Sequence, residues 1–304
     1  MYIEQALKNE NQWWRYLITF FIVGAAQFIG SLPLSLVIIL KNLSSGEALD
    51  YKASLNPEII GISQNMGLFL IMLPMVLTFF ALLLAMRYIH GQSLREIFTS
   101  ASRIRWKNFF FALITWGVML IVAEIITYGF TPEQYSFNYK ASEFYVLLVI
   151  SILMIPLQAG AEELYFRGNL FQGLGILSRS KIIALLVTSL AFGLLHFSNP
   201  EVKQFGFLPS MTYYVGFGLF MGILVLLDGG LEMPIAIHTI NNFFGATLVG
   251  YSGSVLQTPS LIKMNHYNAN AMLIFFVVFA ILYLLISKKI FKWKSIGFAF
   301  KMQE

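Results

Sequence analysis

The sequence predicts an all-α polytopic membrane protein with about eight transmembrane helices around an intramembrane polar cavity. Of the 304 residues, 58% are hydrophobic and only 12% are charged, and the mean hydropathy is +0.72. Soluble domains contain roughly 25% charged residues. Apolar runs of about 20 residues, the length that crosses a bilayer, recur along the chain. One run also contains Glu162, Glu163 and Arg167, and ionisable side chains at membrane depth are expected to face a polar cavity.

Eight apolar segments account for the predicted helices. Five are clear: Tyr16 to Leu40, Met66 to Met86, Asn108 to Tyr128, Phe144 to Ala161 with a continuation to about Leu177, and Ala271 to Ile286. Three are shorter or richer in glycine: Ile182 to Phe197, Met211 to Leu227, and Pro234 to Gly250. Small residues allow close contact between helices in membranes. We therefore expect the three weaker segments to form the middle of the bundle.

The distribution of Lys and Arg predicts the topology. With both termini in the cytoplasm, fourteen of the twenty basic residues fall in cytoplasmic segments and five in external loops, while Arg167 lies inside a span. The positive-inside rule favours this arrangement and an even number of spans. The first apolar run is longer than the core of a signal peptide, so we expect it to be retained as a span.

The remaining composition limits the class of protein. The sequence shows no internal repeat and no long linker, so residues 1–304 are expected to form a single membrane domain. Cysteine is absent, which excludes thiolate metal sites and a cysteine nucleophile. The net charge of +5 is explained by topology, and no nucleic-acid signature is present. The expected surroundings are a lipid bilayer, and the abundance of Ile, Phe, Asn and Lys favours a bacterial cell membrane.

The two adjacent glutamates are predicted to have different roles. Glu163 and Arg167 are four residues apart with the acid on the N-terminal side, which suits an ion pair on one helix face. Glu162 points roughly 100° away around a helix of 3.6 residues per turn, so it can face another helix. Glu162 is therefore the candidate general base, and Glu163 and Arg167 are expected to brace the site.

Two later segments add histidines and an amide. His196 follows Phe192 by four residues, and His238 precedes Asn242 by four residues. Residues four apart share a helix face, so His238 and Asn242 can offer hydrogen bonds to one oxygen atom. Such paired donors suit the stabilisation of an oxyanion.

The ordered set of motifs resembles the CPBP (Abi) family of intramembrane endopeptidases, which includes CAAX prenyl endopeptidases and bacteriocin-processing relatives. The motifs are Glu-Glu-x-x-x-Arg, Phe-x-x-x-His and His-x-x-x-Asn, and they lie within a core of residues 144–250. The resemblance implies that Glu162 and His196 activate a water molecule, while His238 and Asn242 stabilise the tetrahedral oxyanion. It also implies that Glu163 and Arg167 shape the site.

The function expected from these residues is an intramembrane endopeptidase that cleaves a peptide bond near the cytoplasmic membrane face. Its partner would be a peptide or protein substrate presented from the membrane, in peptide or protein maturation such as bacteriocin processing or immunity. The alternative is a non-catalytic immunity or regulatory protein that binds a partner through the same fold. An ion-coupled transporter is a further alternative, but the sequence shows no inverted repeat.

No cofactor is favoured, although zinc remains open. One carboxylate and two imidazoles form a known catalytic zinc set, so Glu162, His196 and His238 would be the ligands. The His-Glu-x-x-His spacing of zincins is absent, and asparagine is a poor zinc ligand. We therefore favour metal-independent hydrolysis.

Other ionisable residues are expected to be structural or solvated. Glu124 has no motif around it and is expected to pack in the bundle or face a cavity. Asp228 and Glu232 flank a Gly-Gly turn, which suggests solvated loop acids. His90 follows the second span beside Arg87 and is expected to face water.

Overall fold

The protein is a helical bundle in which short helices lie among longer ones. The computed structural model describes residues 2–45, 57–251 and 253–293. Its helices are α1 Trp13–Ser45, α2 Gln64–Tyr88, α3 Leu94–Phe98, α4 Trp106–Phe130, α5 Ala141–Glu163, α6 Phe171–Ser178, α7 Lys181–Leu195, α8 Pro200–Phe205, α9 Phe207–Asp228, α10 Glu232–Thr247 and α11 Ala269–Phe291. A 3-10 helix, Ile3–Lys8, precedes α1.

The all-α membrane architecture is confirmed, whereas the number of eight spans is not. Within the described residues, six helical segments are long and apolar enough to cross a membrane. Helix α7 has 15 residues and α10 has 16, or about 22–24 Å at a rise of 1.5 Å per residue. These lengths fall short of a hydrocarbon core of about 30 Å. Helix α9 has 22 residues and is a full-length span, although its sequence segment was among the weaker ones.

The glutamates lie in the interior of the longest helical segment of the second half. Helix α5 continues without a break through a π-helical segment, Leu164–Leu170, into α6. Glu163 is the last residue of α5, so the wider π turn begins directly after it. π-Helical turns inside α-helices occur frequently at functional sites. Glu162 and Glu163 are therefore far from both ends of the 38-residue segment Ala141–Ser178.

One end of the bundle, here called the N-terminal face, gathers the N-terminus and the loops that follow α2, α6 and α9. The hydroxyl of Tyr2 donates to the carbonyl of Ile97, and Gln172 donates to the carbonyl of Tyr2 over 3.2 Å. The backbone N–H of Leu231 donates to the carbonyl of Phe98 over 2.8 Å. The N-terminal 3-10 helix is thus packed into this face.

An ion cluster on the N-terminal face corrects the expectation that Asp228 and Glu232 are solvated. Both side chains are only 3% exposed, and Arg105 Nη2 lies 2.8 Å from Asp228 Oδ2 and 2.6 Å from Glu232 Oε2. Asn108 and Trp293 also donate to Asp228. We call Arg105, Asp228 and Glu232 the Arg105 cluster. The two acids can be buried because Arg105 neutralises them. The sequence did not indicate this pairing, because Arg105 is far from both acids along the chain.

The opposite end, here called the sheet face, carries a small β-sheet that the sequence did not predict. Strands β1 Tyr135–Phe137, β2 Val249–Tyr251 and β3 Ile262–Met264 form a sheet in the order β1-β3-β2. Strand β3 pairs antiparallel with β1 and parallel with β2. The sheet joins the loop after α4 to the loop between α10 and α11.

Small residues hold α7 against α9, which sets the position of the His196 motif. A Cβ on Gly193 would lie 2.4 Å from Val215 Cγ2, and one on Gly218 would lie 3.0 Å from the backbone of Ser189. The two helices can approach this closely because both glycines lack a side chain. Close contact between these weaker helices was expected from their glycines.

Candidate active site

A cavity of about 680 Å³ lies inside the bundle and contains the predicted polar residues. Glu162, His196, His238 and Asn242 all line it, and they come from α5, the end of α7, and α10. The walls between them are aromatic and include Trp116, Phe192 and Phe217. The fold thus brings four side chains from three separate segments to one polar space in an apolar bundle.

Glu162 faces both histidines across a gap. Its Oε2 lies 3.9 Å from Nε2 of His196 and 3.9 Å from Nε2 of His238. These distances are too long for direct hydrogen bonds. Glu162 Oε2 is buried and has no hydrogen-bond partner within the described residues. We call Glu162, His196 and His238 the glutamate–histidine triangle.

Glu163 is fully buried and contacts two partners. Its side chain is 0% exposed, and its Oε1 accepts a hydrogen bond from Arg167 Nη1 over 3.1 Å. The same oxygen lies 2.8 Å from His238 Nδ1. The sequence predicted the pair with Arg167 but not the contact with His238. That contact joins α5 to α10, and helical spacing within one segment could not reveal it.

Arg167 is the buried cation behind this arrangement. Its side chain is 1% exposed, its Nη2 donates to the carbonyl of Gly218 over 3.2 Å, and its guanidinium lies 4.5 Å from the centre of the Phe192 ring. A buried guanidinium is stabilised by such a carboxylate, carbonyl and aromatic face. Arg167 therefore fixes Glu163 without lining the cavity.

The hydrogen-bond partners assign the protonated nitrogen of each histidine. His196 Nδ1 lies 2.7 Å from the carbonyl oxygen of Phe192, and a carbonyl only accepts, so Nδ1 carries the hydrogen. His238 Nδ1 donates in the same way to the carboxylate of Glu163. Each Nε2 is consequently directed at Glu162 and is available for chemistry.

Gln158 is a site residue that the sequence analysis missed. Its Nε2 donates to Glu162 Oε1, and its Oε1 accepts from Asn242 Nδ2 over 2.9 Å. One amide therefore holds Glu162 and Asn242 in fixed relation. The signal was available, because Gln158 is a polar residue one helical turn before Glu162 in an apolar span.

Tyr214 was also missed and forms the wall beside His196. Its ring stacks on the imidazole with centroids 4.4 Å apart, and Asn199 donates to its hydroxyl over 3.1 Å. The stacking and the carbonyl of Phe192 together fix the plane of the His196 ring. A tyrosine in an aromatic-rich span gave no sequence signal of this role.

The glutamate–histidine triangle does not fit zinc as it stands. Ligand atoms about 2.0–2.1 Å from a tetrahedral zinc ion lie about 3.4 Å from one another. The separations from Glu162 to both histidines are 3.9 Å, or roughly 0.5 Å longer. Within the described part of the chain, no group of three His, Cys, Asp or Glu side chains has the arrangement of a metal site.

The cavity extends from the glutamate–histidine triangle toward the sheet face. Its lining includes Asn199, Glu201, Tyr251 and Tyr267 from the loops at that end. Glu124 lines it too and accepts a hydrogen bond from Tyr135 over 2.7 Å, as expected for a cavity residue. No described residue of the loops on the N-terminal face is part of the lining. The cavity therefore lies on the sheet-face side of the bundle.

His90 lies outside this cavity, and it is buried rather than solvated. It is 2% exposed, and its Nε2 lies 2.9 Å from Thr19 Oγ1 and 3.2 Å from Asn169 Nδ2. Burial lowers the pKa of His90 to about 4. The expectation that His90 faces water is wrong, because α1 and the π-helical segment supply polar partners.

Comparison with known protein families matches the part of the chain that contains the site. A family model described as type II CAAX prenyl endopeptidase Rce1-like matches residues 141–244, which include every member of the site from Gln158 to Asn242. This similarity agrees with the resemblance of the motifs to the CPBP (Abi) family. The CPBP match begins and ends within six residues of the predicted core, 144–250.

A relative extends the similarity beyond the CPBP core. The chain is 28% identical to the uncharacterized protein YyaK of Bacillus subtilis (strain 168) over 269 residues, which cover 86% of this chain and 87% of YyaK. The match therefore includes much of the first half of the chain, which contains none of the three motifs. No solved structure matches the chain.

Proposed function

We propose that this protein is an intramembrane endopeptidase that hydrolyses peptide bonds with a water molecule activated between Glu162 and His196. The observation that carries the proposal is the open Oε2 atom of Glu162, which lies at equal distances of 3.9 Å from both Nε2 atoms. Water hydrogen bonds are about 2.8 Å long. A water molecule between Glu162 Oε2 and His196 Nε2 would bridge two atoms that are too far apart to bond directly.

In the proposed first step, the carboxylate of Glu162 accepts a proton from this water as the oxygen attacks the peptide carbonyl. His196 Nε2 accepts the second hydrogen bond of the water and orients it. Gln158 holds the other oxygen of Glu162, so the basic oxygen stays directed at the water. Glu162 then returns the proton to the leaving amine, in keeping with general acid–base catalysis.

The opposite side of the triangle supplies the donors for the oxyanion. His238 Nε2 donates when the ring is protonated, and the carboxylate of Glu163 at Nδ1 stabilises that imidazolium. Asn242 donates one amide hydrogen to Gln158 and keeps the other for the substrate. Donors held in advance at the position of the developing charge lower the barrier most effectively in a dry site.

The cavity supports the proposed class of substrate. An apolar bundle with an internal polar space suits a peptide or protein segment presented from the membrane. Because the cavity reaches the loops of the sheet face, we propose that the substrate enters from that side. The basic residues favour a cytoplasmic N-terminal face, so entry would be from outside a bacterial cell membrane. A role in peptide maturation, including bacteriocin processing or immunity, belongs to the same proposal.

The test compares the wild type with Glu162→Gln, which keeps the shape of the side chain and removes the base. Purified full-length protein in detergent is incubated with a pool of random peptides, and cleavage products are identified by mass spectrometry. We expect a loss of at least about 100-fold in hydrolysis, the lower range for a general base. Folding should be retained, because the substitution can replace Oε2, which has no hydrogen-bond partner among the described residues.

Glu143→Gln is the matched control, since Glu143 lies on the same helix with its side chain 45% exposed. It should cleave like the wild type. If Glu162→Gln cleaves equally well, the non-catalytic immunity or regulatory function replaces the enzyme. Chelation and metal analysis of the same preparations test the proposed absence of zinc: stoichiometric zinc, with activity lost on chelation, would contradict the metal-independent mechanism.

A further inference from the structure

The half of the cavity nearest the sheet face has an acidic lining. The charged residues in the cavity lining are Glu124, Glu162 and Glu201. Among the described residues, the lining contains no Lys or Arg. Glu124 is bonded to Tyr135 and Glu162 to Gln158. Glu201 has no assigned part in the proposed hydrolysis, although it is buried and lines the same space.

Glu201 is held rigidly with one oxygen free. It lies in α8 and is 7% exposed. Its Oε1 accepts from the backbone N–H of Val255 over 2.7 Å, and its own carbonyl accepts from Ser210 over 3.2 Å. Its Oε2 is buried and has no hydrogen-bond partner within the described residues. This oxygen can accept a hydrogen bond from a ligand that displaces the neighbouring side chains.

The electrostatics of this carboxyl group favour a cationic ligand. Burial raises the pKa of Glu201, although the N–H of Val255 and the nearby hydroxyl of Tyr251 act in the other direction. The raised pKa means that the charged form lacks sufficient compensation in the free protein. A cation that entered the cavity would supply it, and the attraction would be strong because little water screens the pair.

Aromatic rings surround the same region and suit the same ligand. Tyr251 and Tyr267 stack with centroids 4.3 Å apart, and Tyr213 and Tyr214 lie with centroids 5.7 Å apart. All four line the cavity. The faces of such rings attract ammonium and guanidinium groups. A carboxylate among tyrosine rings therefore recognises a cation by two independent interactions.

The acidic region adjoins the glutamate–histidine triangle. Tyr214 stacks on His196 on one side and accepts a hydrogen bond from Asn199 on the other. Asn199 lies two residues before Glu201 in the chain, at the start of α8. Because one tyrosine separates the two regions, a peptide bound at the triangle would place a neighbouring side chain, a few residues from the scissile bond, beside Glu201.

We propose that Glu201 and the surrounding tyrosines form a specificity subsite for a cationic group of the substrate, either a Lys or Arg side chain or a free amino terminus. This inference rests on the proposed peptidase function, because the cation is placed relative to the bond that is cleaved. Glu201 selects the substrate and takes no part in the hydrolytic step.

The experiment measures binding, so it does not depend on cleavage. Two pools of random decapeptides, alike except that one fixed position is Lys in the first and norleucine in the second, are incubated with purified full-length Glu162→Gln protein in detergent. Retained peptides are quantified by mass spectrometry. We expect about tenfold preference for the lysine pool, which corresponds to roughly 1.4 kcal/mol. In the double variant with Glu201→Gln, the preference should fall to less than about twofold.

Matched variants and pools separate the explanations. Glu133→Gln removes one charge from the exposed loop on the sheet face and should keep the preference. Glu201→Asp keeps the charge and should retain part of it, and thermal unfolding checks that every variant folds. Acetylated pools distinguish the sources: lower retention of both pools after acetylation of the N-terminus assigns the amine, and a lysine preference kept after acetylation assigns the side chain.

Equal retention of the lysine and norleucine pools, with no loss of retention on N-terminal acetylation, would overturn the inference, as would a preference that survives Glu201→Gln. Failure of the hydrolytic function would show differently, as absence of cleavage by the wild type while the binding preference persists. The two results are therefore distinguishable in the same preparations.

Discussion

Two buried groups of this protein each combine two carboxylates with one arginine, and they differ in how completely the carboxylates are paired. In the Arg105 cluster, the guanidinium contacts Asp228 and Glu232 directly, and further donors reach both acids. In the site, Arg167 bonds to only one of the two carboxylates, that of Glu163, and an oxygen of each glutamate has no partner within the described residues.

The difference separates an ion cluster whose carboxylates are paired from a site whose glutamates keep unpaired oxygens, as the proposed function requires. Both groups are buried, so exposure alone does not distinguish them. In the Arg105 cluster the negative charges are neutralised by contacts within the protein, which stabilise the N-terminal face. In the site, a buried carboxylate oxygen without a partner raises the free energy of the empty protein, and such atoms persist at functional sites because a ligand compensates them.

The largest effect that would sharpen this contrast is the loss of stability expected for Arg105→Gln. Removal of the cation leaves two buried carboxylates without their main partner, at a cost of 3–5 kcal/mol for fully buried pairs. Because the Arg105 side chain keeps 22% exposure, we expect about 3 kcal/mol. Unfolding in denaturant measures the effect, and cleavage per folded molecule should stay at the wild-type level. Arg103→Gln, an exposed arginine in the same loop, is the control and should unfold like the wild type. Reduced cleavage by the folded Arg105→Gln protein would contradict a purely structural role of the Arg105 cluster.

A second variant, Glu163→Gln, tests whether the half-paired group acts on catalysis. The amide keeps the size of the side chain but no longer supplies a negative charge beside His238 Nδ1, so the protonated ring that serves the oxyanion is less stable. We expect kcat to fall about 100-fold, or roughly 2.7 kcal/mol, with less than about threefold change in KM. Steady-state kinetics on a peptide identified in the pool measure both constants.

A purely structural role of Glu163 would give a different result. It would lower the amount of folded protein and leave kcat per folded molecule unchanged. Thermal unfolding in the presence of detergent separates these outcomes. The Glu143→Gln variant again controls for removal of a carboxylate from α5.

The smallest effect concerns two buried histidines with contrasting partners. His238 faces a carboxylate, whereas His90 contacts the uncharged groups of Thr19 and Asn169. The pKa of His90 is about 4 in the folded protein and about 6.5 when unfolded. Neutral His90 therefore contributes stability that is complete above pH 6.5 and is lost as the pH falls from 6.5 toward 4.

We expect a loss of about 1–2 kcal/mol between pH 7.5 and pH 5 from His90. Melting curves of the full-length protein in detergent at the two pH values measure it, and His90→Gln should lose less stability on acidification than the wild type. His266→Gln, an exposed histidine, should behave like the wild type. An equal loss in wild type and His90→Gln would show that His90 does not determine the acid sensitivity.

The sequence predicted the residues of the site better than their contacts. Helical spacing anticipated that Glu163 meets Arg167 and that Glu162 points elsewhere, because both relations depend only on residues within one turn. It missed Gln158 as the link to Asn242, and it missed the contact of Glu163 with His238. Those two contacts join separate helices, and no local pattern reports which helix lies beside another.

The sequence by itself determined that this chain is a helical membrane protein with a polar constellation in its second half, because bilayer thickness and helical period act on consecutive residues. The tertiary structure decided which charges are satisfied. It paired Asp228 and Glu232 with Arg105 from a loop more than a hundred residues earlier, buried His90 between two helices, and left Glu162 and Glu201 with open oxygens in one cavity. Burial and pairing depend on neighbours in space, so only the packed helices could distinguish a structural acid from one available to a substrate.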